Sequence, residues 1–414
     1  MYGSTLARII IGLSVTSLAS AQDEAKARLE REATAQAAEA DRLFAAGSYA
    51  EALPLYQAER AVRARLGDKR YEAHALRGVA CCASRLGDLP QAIEAIEEAR
   101  RIDLELDDHG LAGFDGLILA RILGLAGDHK RSIAEARASI ARFDRASDLD
   151  HEAEARVQLA RSLLELGKLA EAESEVAKAE AIARRLAKPG LTAEVHAIRG
   201  STDRVSGRLE RALDSLTAAR RYRATEATEV LLTARLDREI VEVLMGLGRA
   251  AEAEATIQRA VQGFEKAGDP IAAAEAILAR AGIQLDRGAA ESALGSAREA
   301  RSRFAAIPDP LGEIEAVVAQ AHAARLLRDR STAIGLIDEA IRRSDRVHRD
   351  QPEERIRLLL LGIELARESG DKRKTDELRH RALRLVVQVD DETLRESYRM
   401  RLDAAPRTTE PPIR

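Results

Sequence analysis

A glycine recurs along this chain at a nearly fixed interval, and no other feature restricts its fold so severely. Gly47, Gly87, Gly127, Gly167, Gly207, Gly248 and Gly288 are 40 residues apart, with one step of 41. Their surroundings repeat as well: LFAAGSYAEAL begins at 43, LLELGKLAEAE at 163 and LMGLGRAAEAE at 244. Five residues after each glycine stands a small residue, namely Ala52, Ala92, Ser132, Ala172, Ala212, Ala253 and Ala293. The series continues to Ala333, although Arg328 replaces the glycine there, and a degenerate ninth unit follows at Gly370 and Thr375. A fixed period of this length means one supersecondary unit copied along the chain, each copy burying its apolar face against the next.

The unit itself is readable. Before a glycine the apolar residues fall at helical spacing, as in Val157, Ala160, Leu163 and Leu164, and after it they do so again, as in Leu209, Ala212, Leu213 and Leu216. Two amphipathic helices are therefore joined where the chain must reverse, and the glycine supplies the left-handed backbone that such a helix end needs. Two further small positions recur. Seven residues before the glycine stand Ala40, Ala80, Ala120, Ala160, Gly200, Val241, Ala281 and Ala321; twelve after it stand Ala99, Ala179, Ala219, Ala260, Ala300 and Ala340. Helices that pack closely need such residues at their contacts, because a larger side chain would force them apart at roughly 1–3 kcal/mol.

Composition agrees. Aromatic residues are only 3% and Trp is absent, so the core rests on aliphatic residues and alanine. The 65 basic and 69 acidic side chains are interspersed and give a formal charge of −4, without the basic stripe that phosphate neutralisation needs, so nucleic acid is not an expected partner. Cys81 and Cys82 are adjacent and cannot clip a long loop, so stability must come from packing.

Arg8 precedes the apolar run Ile9 to Val15, and Ala19, Ser20 and Ala21 follow before a polar stretch from Gln22. A charged start, a short apolar segment and an A-x-A site read as a signal peptide over 1–21, giving an exported protein, periplasmic or secreted, or alternatively one anchored to a membrane by this segment. Residues 22–32 are expected to cap the first helix, the repeats to run over 33–400, and the Pro-containing end, 401–414, to form a disordered tail.

These residues resemble the tetratricopeptide repeat family. Its small eighth position, its fifteenth-position Gly and its Ala at positions twenty and twenty-seven fall in the second unit on Ala80, Gly87, Ala92 and Ala99. The likeness covers about 33–390 and is to the variant with 40-residue units. The family's aromatic anchors are mostly aliphatic here, its terminal Pro is missing, and unit five has Arg199 and Asp203 at apolar positions, so looser packing is expected there. The resemblance implies an all-α fold, a right-handed α-solenoid of about nine stacked antiparallel helix hairpins, whose first helices line a concave groove.

Chemistry is sparse by comparison. The eight His show no zinc-ligand spacing, no nucleophile elbow or phosphate loop occurs, and neither a cofactor nor a metal is expected. Gly110, Gly113 and Gly116 are read as an inter-repeat turn rather than a nucleotide loop, since no strand precedes them. His74 and Cys81 share a helix face but lack an orienting third group. No catalytic residue is assigned.

The resemblance instead places its groove positions on His74, Arg77, Arg121, Arg161, Arg204, Arg235, Arg238, Glu242, His322 and Arg325. The ninth position varies freely: Asp41, Cys81, Arg121, Arg161, Ser201, Glu242, Gly282, His322 and Glu364. The expected function is a non-catalytic scaffold that binds a protein or extended peptide in the groove, with acidic groups of the partner held by Arg. The resemblance also implies an alternative, a sensing or autoinhibitory array of an enzyme system such as one with a caspase-like peptidase.

Overall fold

The computed structural model describes the backbone of residues 3–223 and 230–403 and the side chains from residue 24 onward. The cleavage site and apolar run of the expected signal peptide, and the tail beyond 403, have side chains outside the described residues. Among the described residues there are nineteen α-helices and no strand. They fall into two compact units, residues 1–206 and 207–414. The first unit holds α1 (Gly3–Ala45), α2 (Tyr49–Leu66), α3 (Lys69–Leu86), α4 (Leu89–Glu105), α5 (His109–Leu125), α6 (His129–Ala146), α7 (Leu149–Glu165), α8 (Leu169–Leu186) and α9 (Pro189–Val205). The second holds α10 (Leu209–Arg223), α11 (Val230–Gly246), α12 (Ala250–Lys266), α13 (Pro270–Asp286), α14 (Ala290–Ala306), α15 (Pro310–Leu326), α16 (Arg330–Val347), α17 (Pro352–Glu368), α18 (Lys372–Val386) and α19 (Glu392–Asp403). In each unit consecutive helices pack as hairpins, and each hairpin packs on the next.

The recurring glycines do what their spacing demands. Gly47, Gly87, Gly127, Gly167, Gly207, Gly248, Gly288 and Gly370 all take positive φ, and Arg328 takes φ 60° where the series lacks its glycine. The structure adds a second set of turns that the glycine series does not announce. Gly67, Asp107, Ser147, Ala187 and Gly268 are also left-handed, midway between the first set. The repeat is thus built from two near-equal halves of about twenty residues.

Turns of both kinds share one device, though the turn at Ala187 lacks it. The amide after the left-handed residue reaches back to the carbonyl five residues earlier, as in Asp88 N–H to Ala83 O at 2.9 Å and Asp148 N–H to Phe143 O at 2.9 Å, and so closes the outgoing helix. That same residue is the N-cap of the next helix. The side chains of Asp88, Asp108, Asp128, Asp148, Asp269, Asp329 and Asp371 accept from the backbone N–H three residues on. One aspartate ends one helix and starts another, which is why the loops are so short.

Gly110, Gly113 and Gly116 are not a turn, contrary to expectation; they lie inside α5. A Cβ at Gly113 would stand 3.3 Å from Phe143, and one at Gly116 would stand 2.6 Å from the Ser139 hydroxyl, so these glycines let α5 approach α6 closely.

The small repeat positions form the core. Ala52, Ala92, Ser132, Ala172, Ala212, Ala253, Ala293 and Ala333 are fully buried, as are Ala99, Ala179, Ala219, Ala260, Ala300 and Ala340. In unit five, Arg199 pairs with Glu180 of α8. At the far end α19 lays Tyr398 and Leu402 into a cluster with Leu378, Leu385 and Val389. This helix runs to Asp403, slightly past the 400 boundary expected for the array.

Candidate functional site

On the first helix of each hairpin, packing and presentation occupy adjacent residues. The eighth-position residues Ala40, Ala80, Ala120, Ala160, Ala281 and Ala321 are fully buried, and Gly200, Val241 and Ile363 at the same place in the other units are buried as well. Their ninth-position neighbours, Asp41, Cys81, Arg121, Arg161, Ser201, Glu242, Gly282, His322 and Glu364, are all exposed or half-buried. A step of one residue on a helix turns the side chain by about a quarter-circle, so a constant inner row and a variable outer row coexist on one helix.

The charges on this outer row and beside it on the first helices are cross-braced. Arg121 on α5 pairs with Glu154 on α7 at 2.8 Å, Arg238 on α11 with Glu275 on α13 at 3.1 Å, and Arg325 on α15 with Glu364 on α17 at 2.9 Å and with Glu368. Second helices carry a parallel ladder: Arg60 to Glu98, Arg137 to Glu171 and Arg301 to Glu339, each at 2.6–2.8 Å. Exposed pairs of this kind contribute only about 0–1 kcal/mol each, but they fix the orientation of long side chains along successive hairpins.

The expected groove residues therefore differ in what they offer. His74, Arg161, Arg235 and Glu242 are exposed. Arg161, Arg204 and Glu242 are also engaged with neighbours of their own. His322 is half-buried, and burial together with the nearby Arg325 guanidinium pushes its imidazole below the ordinary range. Arg121, Arg238 and Arg325 already hold carboxylates. Arg77 is the outlier.

Arg77 points inward rather than along the outer row. Its Nε donates to Asp115 on α5 at 2.6 Å and its Nη2 to Asp103 on α4, and both aspartates are completely buried. Burial is the main reason that the Asp115 carboxyl is pushed up to about 7; Arg77 opposes the shift and Asp103 reinforces it. A second buried acid, Glu59 on α2, is also raised to about 7, again chiefly by burial, with Arg63 at 3.7 Å opposing. Neither cluster was anticipated from the sequence. A signal existed: Asp115 stands one period before Ala155, and Glu59 one period before Ala99, both apolar core positions.

The remaining chemistry is quiet. Cys81 and Cys82 are free thiols, and burial raises both, Cys82 to about 11, which leaves them poor nucleophiles. Among the described residues no cluster of His, Cys, Asp or Glu could hold a metal ion, and no helix is long and apolar enough to cross a membrane. In the second unit a polar recess of about 660 Å³ lies between α12 and α14, over α13. Its polar groups bond to one another: Arg280 donates to Gln258, Ser296 and Glu299, and Gln284 to Glu254.

Residues 31–105 match the tetratricopeptide repeat family. Among curated proteins no sequence matches. Among solved structures, the fold is similar to that of a signal transduction ATPase with numerous domains, carrying a tetratricopeptide repeat sensor, from Pyrococcus horikoshii. That likeness has 13% identity and a TM-score of 0.65 over 89% of this chain and 55% of that one. This chain thus spans little more than half the ATPase's length. A Rap protein complexed with competence and sporulation factor (15% identity, 70% of this chain, 81% of that one, TM-score 0.47) is also similar. So is BtubC of P. vanneervenii (18% identity, 53% of this chain, 92% of that one, TM-score 0.48).

Proposed function

We propose that this chain, a tetratricopeptide-repeat protein, works as a non-catalytic scaffold that holds a protein or an extended peptide on the outer face of its first helices. One observation carries this reading: the buried eighth position stays apolar and mostly small from hairpin to hairpin while the accessible ninth position changes at nearly every step. A row freed from packing, on a braced backbone, is able to specify a ligand without disturbing the fold. The middle hairpins of the first unit present Arg121 and Arg161, which suit a partner with acidic side chains or a terminal carboxylate. Such a partner would exchange the intramolecular carboxylate of Glu154 for its own, a swap that makes binding salt-sensitive.

The N-terminal pattern adds a compartment to the reading: export, with cleavage after Ala21. N-terminal sequencing of protein from the native host tests that part, and a chain still beginning at residue 1 in the cytoplasmic fraction would reject it. The fold's likeness to an ATPase whose repeats are described as a sensor favours a second reading, in which the array reports on a ligand to an enzyme partner. Capture with the mature array followed by mass spectrometry addresses both. The doubly reversed variant Arg121→Glu, Arg161→Glu is expected to weaken the captured partner by about tenfold or more; unchanged binding overturns the assignment of this face.

A further inference from the structure

One seam of the array is built of charge where its neighbour is built of hydrocarbon. Leu117, Phe143 and Ala155 form an apolar cluster joining α5, α6 and α7, and all are buried. One period earlier, the same three places hold Arg77 on α3, Asp103 on α4 and Asp115 on α5. Leucine has become arginine, phenylalanine has become aspartate, and alanine has become aspartate. Two buried carboxylates facing one guanidinium leave an excess negative charge in the interior, and an uncompensated interior charge is removed most cheaply by binding a proton. Asp103 Oδ1 and Asp115 Oδ2 are both buried without a hydrogen-bond partner, and the two side chains lie within hydrogen-bonding reach of each other.

We propose that Arg77, Asp103 and Asp115 form a proton-binding site: Asp115 keeps its proton in the folded chain and donates it to Asp103, Arg77 bridges both, and loss of that proton loosens the seam between α4 and α5. One proton shared by the two carboxyls neutralises the excess charge and supplies a donor to a pair of side chains that each hold an unpartnered buried oxygen. The neighbouring charges do not supply an alternative. On α3, besides Arg77, the Cys81 thiol lies close enough to Asp115 to feel its charge, and burial raises that thiol, so it adds no compensating positive charge. Arg100 on α4 is taken by Glu135 of α6 at 2.6 Å, and Arg121 on α5 by Glu154 of α7. Arg142 on α6 packs its stem against Gly113, two residues from Asp115, and its Nη1 is buried with no hydrogen-bond partner, so that nitrogen makes no bond to Asp115.

The seam is also mechanically suited to respond. Asp115 is flanked by Gly113 and Gly116 within α5, and glycine inside a helix weakens it relative to alanine. The raised Asp115 carboxyl, at about 7, sets the sense and range of the response. The folded chain binds this proton more tightly than the unfolded chain, whose aspartates titrate at about 4. Stability from this site is therefore full below about pH 4 and is lost as pH rises through about 7.

The test uses the full chain. Asp residues carrying carbon-13 at Cγ are titrated by NMR, and hydrogen exchange, corrected for the intrinsic effect of pH, is followed across α3 to α7. In the wild type one Asp carboxyl should titrate near pH 7. Protection in α4 and α5 should fall about tenfold across that transition, while α6 and α7 hold theirs. Asp115→Asn, which keeps the shape and stays neutral, should abolish both the titration and the loss of protection. If Asp115→Asn does not fold, Asp103→Asn should do the same by leaving Asp115 in a simple ion pair with Arg77. The proposal is overturned if every Asp carboxyl of the wild type titrates in the ordinary acidic range, or if α4 and α5 keep their protection throughout.

Discussion

The two seams described above, one tied by Arg77, Asp103 and Asp115 and the next by Leu117, Phe143 and Ala155, occupy equivalent places in consecutive hairpins. Their backbones are alike: each lies beside a short turn with a left-handed residue, Asp107 in one and Ser147 in the other, followed by a capping aspartate, Asp108 or Asp148. Only the chemistry differs. The comparison teaches that a repeat protein fixes its geometry with small residues and turns, and leaves the seam filling open to whatever satisfies itself. A hydrocarbon seam is satisfied at any pH. A charged seam is satisfied only with its full set of partners, and that condition makes it breakable.

The sharpest break is Arg77→Leu, which copies the leucine of the next seam but strands two buried aspartates; a loss of about 3–5 kcal/mol in denaturant unfolding is expected. Phe143→Ala empties the apolar seam and should remove a similar amount, about 3–5 kcal/mol, with no change between pH 6 and 8. Copying the whole apolar seam, by Arg77→Leu, Asp103→Phe and Asp115→Ala together, should instead be neutral or stabilise by up to about 4 kcal/mol. If the triple variant is as unstable as the single one, the two seams are not interchangeable and the comparison fails. Smaller effects lie in the turns. Ala187 is exposed and left-handed, at φ 52°, so Ala187→Gly should stabilise by about 0.5–1 kcal/mol, read as a higher unfolding midpoint. Smallest of all, a double-mutant cycle on the exposed pair Arg137–Glu171 should return less than about 1 kcal/mol and vanish in high salt.

Much of this molecule is legible in its sequence. The buried small residues at three places in most repeats and the left-handed glycines lie where the period puts them, because close helix packing and chain reversal each admit few residue types. The second set of turns is hidden because Asp107, Ser147 and Ala187 accept the left-handed conformation without being glycine, held there by the flanking carbonyls. Arg77 reads as a groove residue by position, yet the buried aspartates draw its guanidinium inward. Asp103 and Asp115 are inconspicuous in a chain that is 32% charged, and they stand out only against Phe143 and Ala155 one period later. The outer row is legible as a row, but its pairing is not. Partners such as Arg121 and Glu154 are about thirty residues apart and meet only through stacking.

The central claim is that packing and presentation are divided between adjacent residues of the first helices. Hydrogen exchange of the array with and without its captured partner tests it most directly. Added protection should centre on α5 and α7, around Arg121 and Arg161, and leave the second helices α6 and α8 as they were. Protection confined to second helices, or to the polar recess around Arg280, would contradict it.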